Sequence, residues 1–310
     1  TVQTLPWEAW IQADSAIPVR GRAHRSQLSS VPAIQRTVKK AIVDRLQARL
    51  SKTLPETGPP VAVEASLVDN RATIDLDTSG DGLHRRGYRR LTAPAQLRET
   101  LAAALVALSF WKPGRPLIDP FCGSGTIVIE AALLGRNMAP GRRRRFAAEA
   151  WPAIDASHWL RAREEADDKA LPPLKERLIG HDIDAEVLKL ARYHAQQAGV
   201  ADDIHFQERP FSELSSPRQY GCLIANPPYG LRMGDEAEVG HLYASMPRVL
   251  RRLKTWSHYI LTPRSDFETL LGQKADRRRK LYNGQIACTY YQFHGPRPPR
   301  GQGADDHEAE

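Results

Sequence analysis

The stretch RPLIDPFCGSGTIVIEAALLG, residues 115–135, runs from a short strand through a Gly-Ser-Gly turn directly into a helix. Glycine lets the backbone take tight turns that a Cβ forbids. The alternation around this corner governs the rest of the chain. A helix in AQLRETLAAALVAL precedes it. RLIGHDID then reads as a strand, AEVLKLARYHAQQAG as its helix, and DIHFQER, YGCLIANPPY and SHYILTP as further strands. Repeated strand–helix units build a mainly parallel sheet with helices on both faces. RKLYNGQIACTYYQF closes the series as two runs around Asn283-Gly284, a hairpin signal. The expected fold class is α/β.

Ahead of residue 91 the pattern differs. Ser29 and Ser30 can cap a helix opened by Pro32, and Ile34, Val38, Ile42, Leu46 and Leu50 recur along it every four residues. VAVEASLVDNRATIDLDTSG alternates on both sides of Asp69-Asn70. Val61, Val63, Ala65 and Leu67 share one face, as do Ala72, Ile74 and Leu76, which makes a hairpin. Helix plus hairpin is a small α+β unit, and it runs into the basic segment GLHRRGYRR. A chain of 310 residues accommodates two domains. The expected borders are 1–90 and 91–295. The Arg-, Pro- and Trp-rich stretch 136–175 is expected to be a partly helical insertion, and the tail 296–310 to be disordered.

Three strand ends carry chemistry. In Asp119-Pro120-Phe121-Cys122-Gly123-Ser124-Gly125-Thr126 the glycines allow close approach of a ligand, and the helix start offers N–H groups to an anion. The third glycine of a dinucleotide fingerprint is replaced by Val128, and no Walker Gly-Lys-Ser/Thr is present. A nucleotide-like ligand and a plain tight turn both fit this loop. At the next strand end Asp182 can accept both hydroxyls of a ribose. Ile183 offers an apolar face to an adenine ring, and Asp184 reads as the N-cap of the following helix.

The third strand ends in Asn226-Pro227-Pro228-Tyr229. Proline cannot donate to a sheet ladder and fixes φ, so the pair stops the strand in a rigid extended corner. The Asn226 side-chain oxygen and the Pro227 carbonyl can accept together from one exocyclic NH₂ group. Tyr229 can stack on the ring that bears it. Such an amine is a poor nucleophile because its lone pair is delocalised. Two preorganised acceptors polarise it and align it with an electrophile, so no strong base is needed.

DPFCGSGT, HDID and NPPYG in this order resemble the class I S-adenosylmethionine-dependent methyltransferases of exocyclic amino groups. SVPAIQRTVKKAIV, GLHRRGYR, APAQLRETLAAALV, EAALLGRNMAPG, NPPYGLRMG and RRRKLYNGQIACTYYQF extend the resemblance to the THUMP-domain RNA methyltransferases. The group most similar modifies guanine N2 in bacterial large-subunit ribosomal RNA. Its members often carry the label N6-adenine-specific DNA methylase, because NPPY is shared. The resemblance implies a Rossmann-like fold, a mainly parallel seven-stranded sheet with a C-terminal antiparallel hairpin, preceded by a THUMP-like unit that this chain enters part-way. It implies S-adenosylmethionine as cofactor. Asp119, Gly123 and Gly125 would hold its methionine part within a loop that also includes Pro120, Phe121, Cys122, Ser124 and Thr126. Asp182 and Ile183 would take its nucleoside, Pro94, Glu99 and Thr100 would line its other side, and Asn226 would border it. The position where many relatives place an adenine-binding Asp is Pro210 here, which leaves that contact to backbone groups. Catalysis would rest on Asn226, Pro227, Pro228 and Tyr229, with RNA, ribosomal in origin, as the partner. A DNA adenine-N6 methyltransferase shares the same corner, and a non-catalytic RNA-binding assembly factor could keep the fold.

The formal net charge of +8 suits a polyanionic partner. Basic runs usually form a solvated face, but two such runs plus HRRGYRR make Arg85, Arg86, Arg142, Arg143, Arg144, Arg145, Arg278 and Lys280 the candidate RNA contacts. Cys122, Cys222 and Cys288 lie far apart, so no zinc site or disulfide framework is expected, and a reducing cytoplasm follows. Cys122 as a nucleophile would need a thiolate beside the target base, yet it stands where the cofactor would bind. The tryptophans read as packing residues. No signal peptide and no apolar run near the ~20 residues that cross a bilayer is visible.

Overall fold

The computed structural model describes residues 2–50, 53–89, 91, 97–229 and 236–299. The chain divides into two compact units, Thr1–Leu83 with Arg144–Glu165, and His84–Arg143 with Ala166–Glu310.

The first unit contains β1 (Ser15–Ala16), β2 (Val19–His24), α1 (Val31–Leu50), β3 (Gly58–Pro60), β4 (Ala62–Val68) and β5 (Arg71–Asp77). β1 pairs with β3, and a second sheet has the order β2-β4-β5. The β4–β5 hairpin turns at Asp69 and Asn70, whose φ values of 50° and 62° are those of a type I′ turn. Ile34, Val38, Ile42 and Leu46 of α1 are buried in one cluster with Val61, Val63 and Ala65. The same cluster takes Ala148 and Trp151. Trp151 Nε1 donates to the Pro60 carbonyl (3.0 Å) and the Ala148 amide to Thr78 (3.1 Å). These two apolar residues draw the middle of the stretch 136–175 into the first unit.

The second unit carries α2 (Glu99–Ala107), β6 (Leu117–Asp119), α3 (Thr126–Gly135), β7 (Leu178–Asp182), α5 (Ala185–Ala198), β8 (Ile204–Glu208), β9 (Cys222–Ala225), α6 (Glu236–Leu250), β10 (Ser257–Thr262), α7 (Phe267–Leu271), β11 (Arg277–Asn283) and β12 (Ile286–Phe293). A further helix, α4 (Ala156–Asp168), begins within the first unit's residues. The large sheet has the order β11-β12-β10-β9-β6-β7-β8. Its five central and outer strands from β10 to β8 are parallel, and β12 is antiparallel to both neighbours. The terminal hairpin pairs Asn283 with Ile286, so Gly284 (φ 65°) and Gln285 form the turn. The turn is one residue later than Asn283-Gly284, with glycine at the first central position as a type II′ turn requires.

β6 lies between β7, the next strand in sequence, and β9. The strand order reverses there, and α/β sheets bind ligands outside the carboxyl ends at such a point. α3 is buried nearly all round, including Ile127, Val128, Ile129, Ala131 and Ala132. Its start is therefore held firmly at the reversal. No helix among the described residues is long and apolar enough to cross a membrane. The expected disorder of 296–310 concerns, from residue 300 onward, positions outside the described residues.

Candidate active site

Three consecutive strand ends, those of β7, β6 and β9, bring together the loop 119–126, Asp182 and Asn226–Tyr229. Gly123 and Gly125 both have positive φ, 51° and 83°. A Cβ on Gly123 would meet no protein atom within 4 Å. The loop thus presents bare backbone to open space, the form a cradle for a flexible ligand needs. At Gly125 a Cβ would crowd Phe206 at 3.0 Å and Ala191 at 3.2 Å, so this glycine also serves packing. Phe121 stacks in tilted fashion on Phe211, at 4.9 Å between centroids. Cys122 is buried, and burial raises its thiol pKa well above the usual value, which leaves it no part as a nucleophile.

Asp182 is half-buried. Its carboxylate accepts from the Gly123 amide (2.8 Å) and from the Asp184 amide (3.1 Å). The acid therefore shapes the glycine loop and still faces the strand end. Asp184 caps α5, accepting from the amides of Glu186 (2.8 Å) and Val187 (3.3 Å). Ile183 is 72% exposed, an apolar side chain standing unburied beside Asp182. Asp119 is buried and accepts from the Phe121 amide (3.1 Å). Burial first, and the Asp182 charge after it, raise the Asp119 pKa to about 8. Thr126 and Ser124 are buried, and Thr100 is exposed. Pro94 lies outside the described residues.

At the end of β9, Asn226 and Pro228 are half-buried and Pro227 is buried. Tyr229 is half-buried and packs against the main core, as do Leu281 and Ile286. Its hydroxyl donates to Asn226 Oδ1 and stands 4.0 Å from the Cys288 sulfur. Burial pushes that hydroxyl's pKa well up, so it remains a donor. The tyrosine thereby orients the amide, a role its position in the motif does not reveal.

Two further residues surround the loop and escape a reading of the sequence. Arg89 pairs with Glu99 (3.6 Å), donates to the Leu97 carbonyl (3.0 Å) and also to Thr126 Oγ1. His194, fully buried on α5, stands between the carbonyls of Ser124 (3.3 Å from Nδ1) and Leu91 (3.2 Å from Nε2), and its neutral ring donates to one of them. Arg89 belongs to a basic run, and nothing local marks it off from its neighbours. His194 lies on the stripe of Leu188, Ala191, Ala195 and Ala198 and reads as core.

The basic candidates separate into two kinds. Arg86 is 13% exposed and ion-paired with buried Glu130 (3.4 Å), which also accepts from the Tyr88 hydroxyl (3.0 Å). Arg144 is buried and donates to the carbonyls of Ser79 (3.0 Å), Gly82 (3.0 Å) and Asp81. Both guanidiniums clamp their own unit, because burying a charge demands that it be satisfied. Arg142 pairs with Asp167 (2.8 Å) and Arg278 with Glu268 (2.9 Å). Arg85, Arg143, Arg145 and Lys280 are exposed. Among the described residues no group of three His, Cys, Asp or Glu could hold a metal ion.

Residues 86–292 match the family described as RMKL-like, methyltransferase domain, and residues 1–77 match the THUMP domain. The chain is 43% identical over 294 residues to the "Putative RNA methyltransferase YpsC" of Bacillus subtilis, covering 94% of this chain and 76% of that protein. A crystal structure described as a predicted N6-adenine-specific DNA methylase from Listeria monocytogenes is 44% identical, with a TM-score of 0.88 over 95% of this chain and 77% of that one. Another, of SMU.472, described as "a putative methyltransferase complexed with SAH", is 40% identical, with a TM-score of 0.87 over 96% and 80% of the two chains. The loop, the two acids and the Asn-Pro-Pro-Tyr corner therefore stand in a methyltransferase scaffold, and this chain belongs to the RMKL-like methyltransferase family with a THUMP domain ahead of it.

Proposed function

We propose that the protein transfers a methyl group from S-adenosylmethionine to the exocyclic amine of a base in RNA, guanine N2 of large-subunit ribosomal RNA being the target. The single observation that carries this reading is the placement of Asp182, the open glycine loop and Asn226 on the neighbouring strands β7, β6 and β9. Two inter-strand steps span roughly 10 Å, so a cofactor held at β7 and β6 reaches the amine site at β9. The bare Gly123 and exposed Ile183 fit a nucleoside with a flexible tail, and the structure of a relative with SAH supports the same ligand. Residues 1–90 would grip the RNA and 91–295 would perform the transfer. The THUMP match favours RNA over DNA, and relatives are described in both ways.

When bound, the cofactor would supply a methyl group on a sulfonium, whose C–S bond breaks with a neutral thioether as leaving group. The chain's own residues bind and orient. Asp182 accepts from the ribose hydroxyls, and Asp119 faces the cationic end. Asn226 Oδ1 and the Pro227 carbonyl accept from the amine and fix its lone pair toward the methyl carbon. The proton the amine then sheds passes to solvent. A methyl-transfer assay with tritiated cofactor on ribosomal RNA, transfer RNA and duplex DNA, followed by identification of the labelled nucleoside, tests the proposal. Label on adenine N6 of DNA alone would overturn it.

Two expectations follow from the cofactor side. Asp182→Ala removes a charged acceptor and the tie to Gly123. Cofactor affinity should fall by ~1.5–3 kcal/mol, and calorimetry finding no change would remove Asp182 from the site. Burial pushes the Asp119 carboxyl up to about 8. Its ionised form attracts a cation, so binding must expel a proton below that pH. Affinity should rise with pH up to about 8 and level off above. Calorimetry in buffers of different ionisation enthalpy should register the released proton, and a flat pH profile without it would show that Asp119 does not face the cofactor's charge.

A further inference from the structure

Among the described residues β11 is the edge of the large sheet and pairs with β12 alone. Its register sets Arg278, Lys280 and Tyr282 opposite Tyr291, Thr289 and Ala287, so the three share one face. Glu268 of α7 engages Arg278. Beyond it Lys280 is exposed and Tyr282 is 57% exposed, with Lys280 Nζ 5.6 Å from the centre of the Tyr282 ring. Charge on an edge strand guards against pairing with another sheet, and the arginines and Lys280 meet that need. Edge protection does not call for a large aromatic ring exposed beneath a cation.

The position of the ring supplies the missing reason. β12 is antiparallel to β10, with Thr289 opposite Thr262, the last residue of β10. The β11–β12 turn therefore lies at the carboxyl edge, where Asn226–Tyr229 end β9. Leu281 and Ile286 flank the turn and pack in the same cluster as Tyr229. Tyr282 is the next residue along, on the opposite face of the strand from Leu281. It stands at the same carboxyl edge as the amine site, three inter-strand steps, roughly 14 Å, from β9 and on the side away from the cofactor strands β6 and β7.

We propose that Tyr282 and Lys280 form a stacking platform for a nucleotide of unpaired RNA that runs along the carboxyl edge from the target base, the ring taking the base and the ammonium its phosphate. This rests on the RNA reading above. Such a platform tolerates any base, so it sets affinity and position and leaves identity to the amine site. Unpaired RNA is the class it fits, because a base inside a duplex has no free face and the target must leave its stack.

The test is fluorescence anisotropy of a labelled single-stranded RNA on the full chain, with cofactor affinity and the denaturation midpoint measured alongside. Tyr282→Ala should weaken RNA binding about 5- to 150-fold, the range of one base–aromatic contact. Tyr282→Phe keeps the ring and should stay within about twofold. Lys280→Ala should reduce the slope of log K against log salt by about 0.7, one phosphate's share on a single strand. Cofactor affinity and the midpoint should not move. If the wild type binds RNA and Tyr282→Ala binds it equally well, the platform is wrong and the RNA methylation reading survives. Equal losses in the alanine and phenylalanine variants would show a hydroxyl contact and overturn stacking. Self-association through β11, abolished by Tyr282→Ala, would assign the edge to a second copy. A wild type with no affinity for RNA would overturn both readings.

Discussion

Asn226→Ala is expected to slow single-turnover methylation of a ribosomal RNA fragment by about 10²–10³-fold, the cost of removing one preorganised acceptor. Cofactor affinity should hardly move, since the loop 119–126 is held by amide hydrogen bonds to Asp119 and Asp182 and not through that side chain. The orientation of the amide comes from Tyr229, whose hydroxyl donates to Asn226 Oδ1. A carbonyl oxygen has two lone pairs, so the same atom can accept from the hydroxyl and from the amine. Tyr229→Phe would leave the amide in place but free to rotate. A typical hydrogen bond contributes about 0.5–1.5 kcal/mol, which sets the loss at roughly 2- to 13-fold. Tyr229→Ala removes ring and hydroxyl together and should cost more, in substrate binding as well as rate. Wild-type turnover in Asn226→Ala would reduce the corner to a strand stop.

The fold and the candidate site were legible to different depths for physical reasons. Strands and helices announce themselves through periodicity, and Ile34, Val38, Ile42 and Leu46 are buried as their spacing implies. Strand-end motifs are legible because a backbone conformation demands them, as with positive φ at Gly123 and Gly125. Long-range polar pairing leaves no local trace. Arg86 and Arg144 look like their exposed neighbours in the same runs, and only the fold reveals that Glu130 and the carbonyls of 79–82 await them. The Ala148–Trp151 stretch misleads for a similar reason. An apolar pair in a charged segment declares that it needs a core, but not which one.

The other large effect is on stability. Arg89→Ala is expected to lower the free energy of unfolding by about 3–5 kcal/mol, the usual cost of deleting one member of a buried ion pair. Arg89 and Glu99 are 12% and 5% exposed in their side chains. Deleting the guanidinium leaves the Glu99 carboxylate in the interior without that cation, and takes a donor from the Leu97 carbonyl and from Thr126. Glu99 opens α2, where the helix dipole favours a negative charge, so the loss should fall toward the lower end. Arg89→Lys keeps the charge but cannot reach three acceptors at once, and should recover only part. The double variant Arg89→Met with Glu99→Gln removes both charges and should be more stable than Arg89→Ala, because no uncompensated ion remains. Urea denaturation of the cofactor-free protein gives the comparison. If Arg89→Ala and the wild type share one midpoint, water must reach Glu99 in the folded protein, and the ion pair contributes nothing to holding the helix starts of α2 and α3 together.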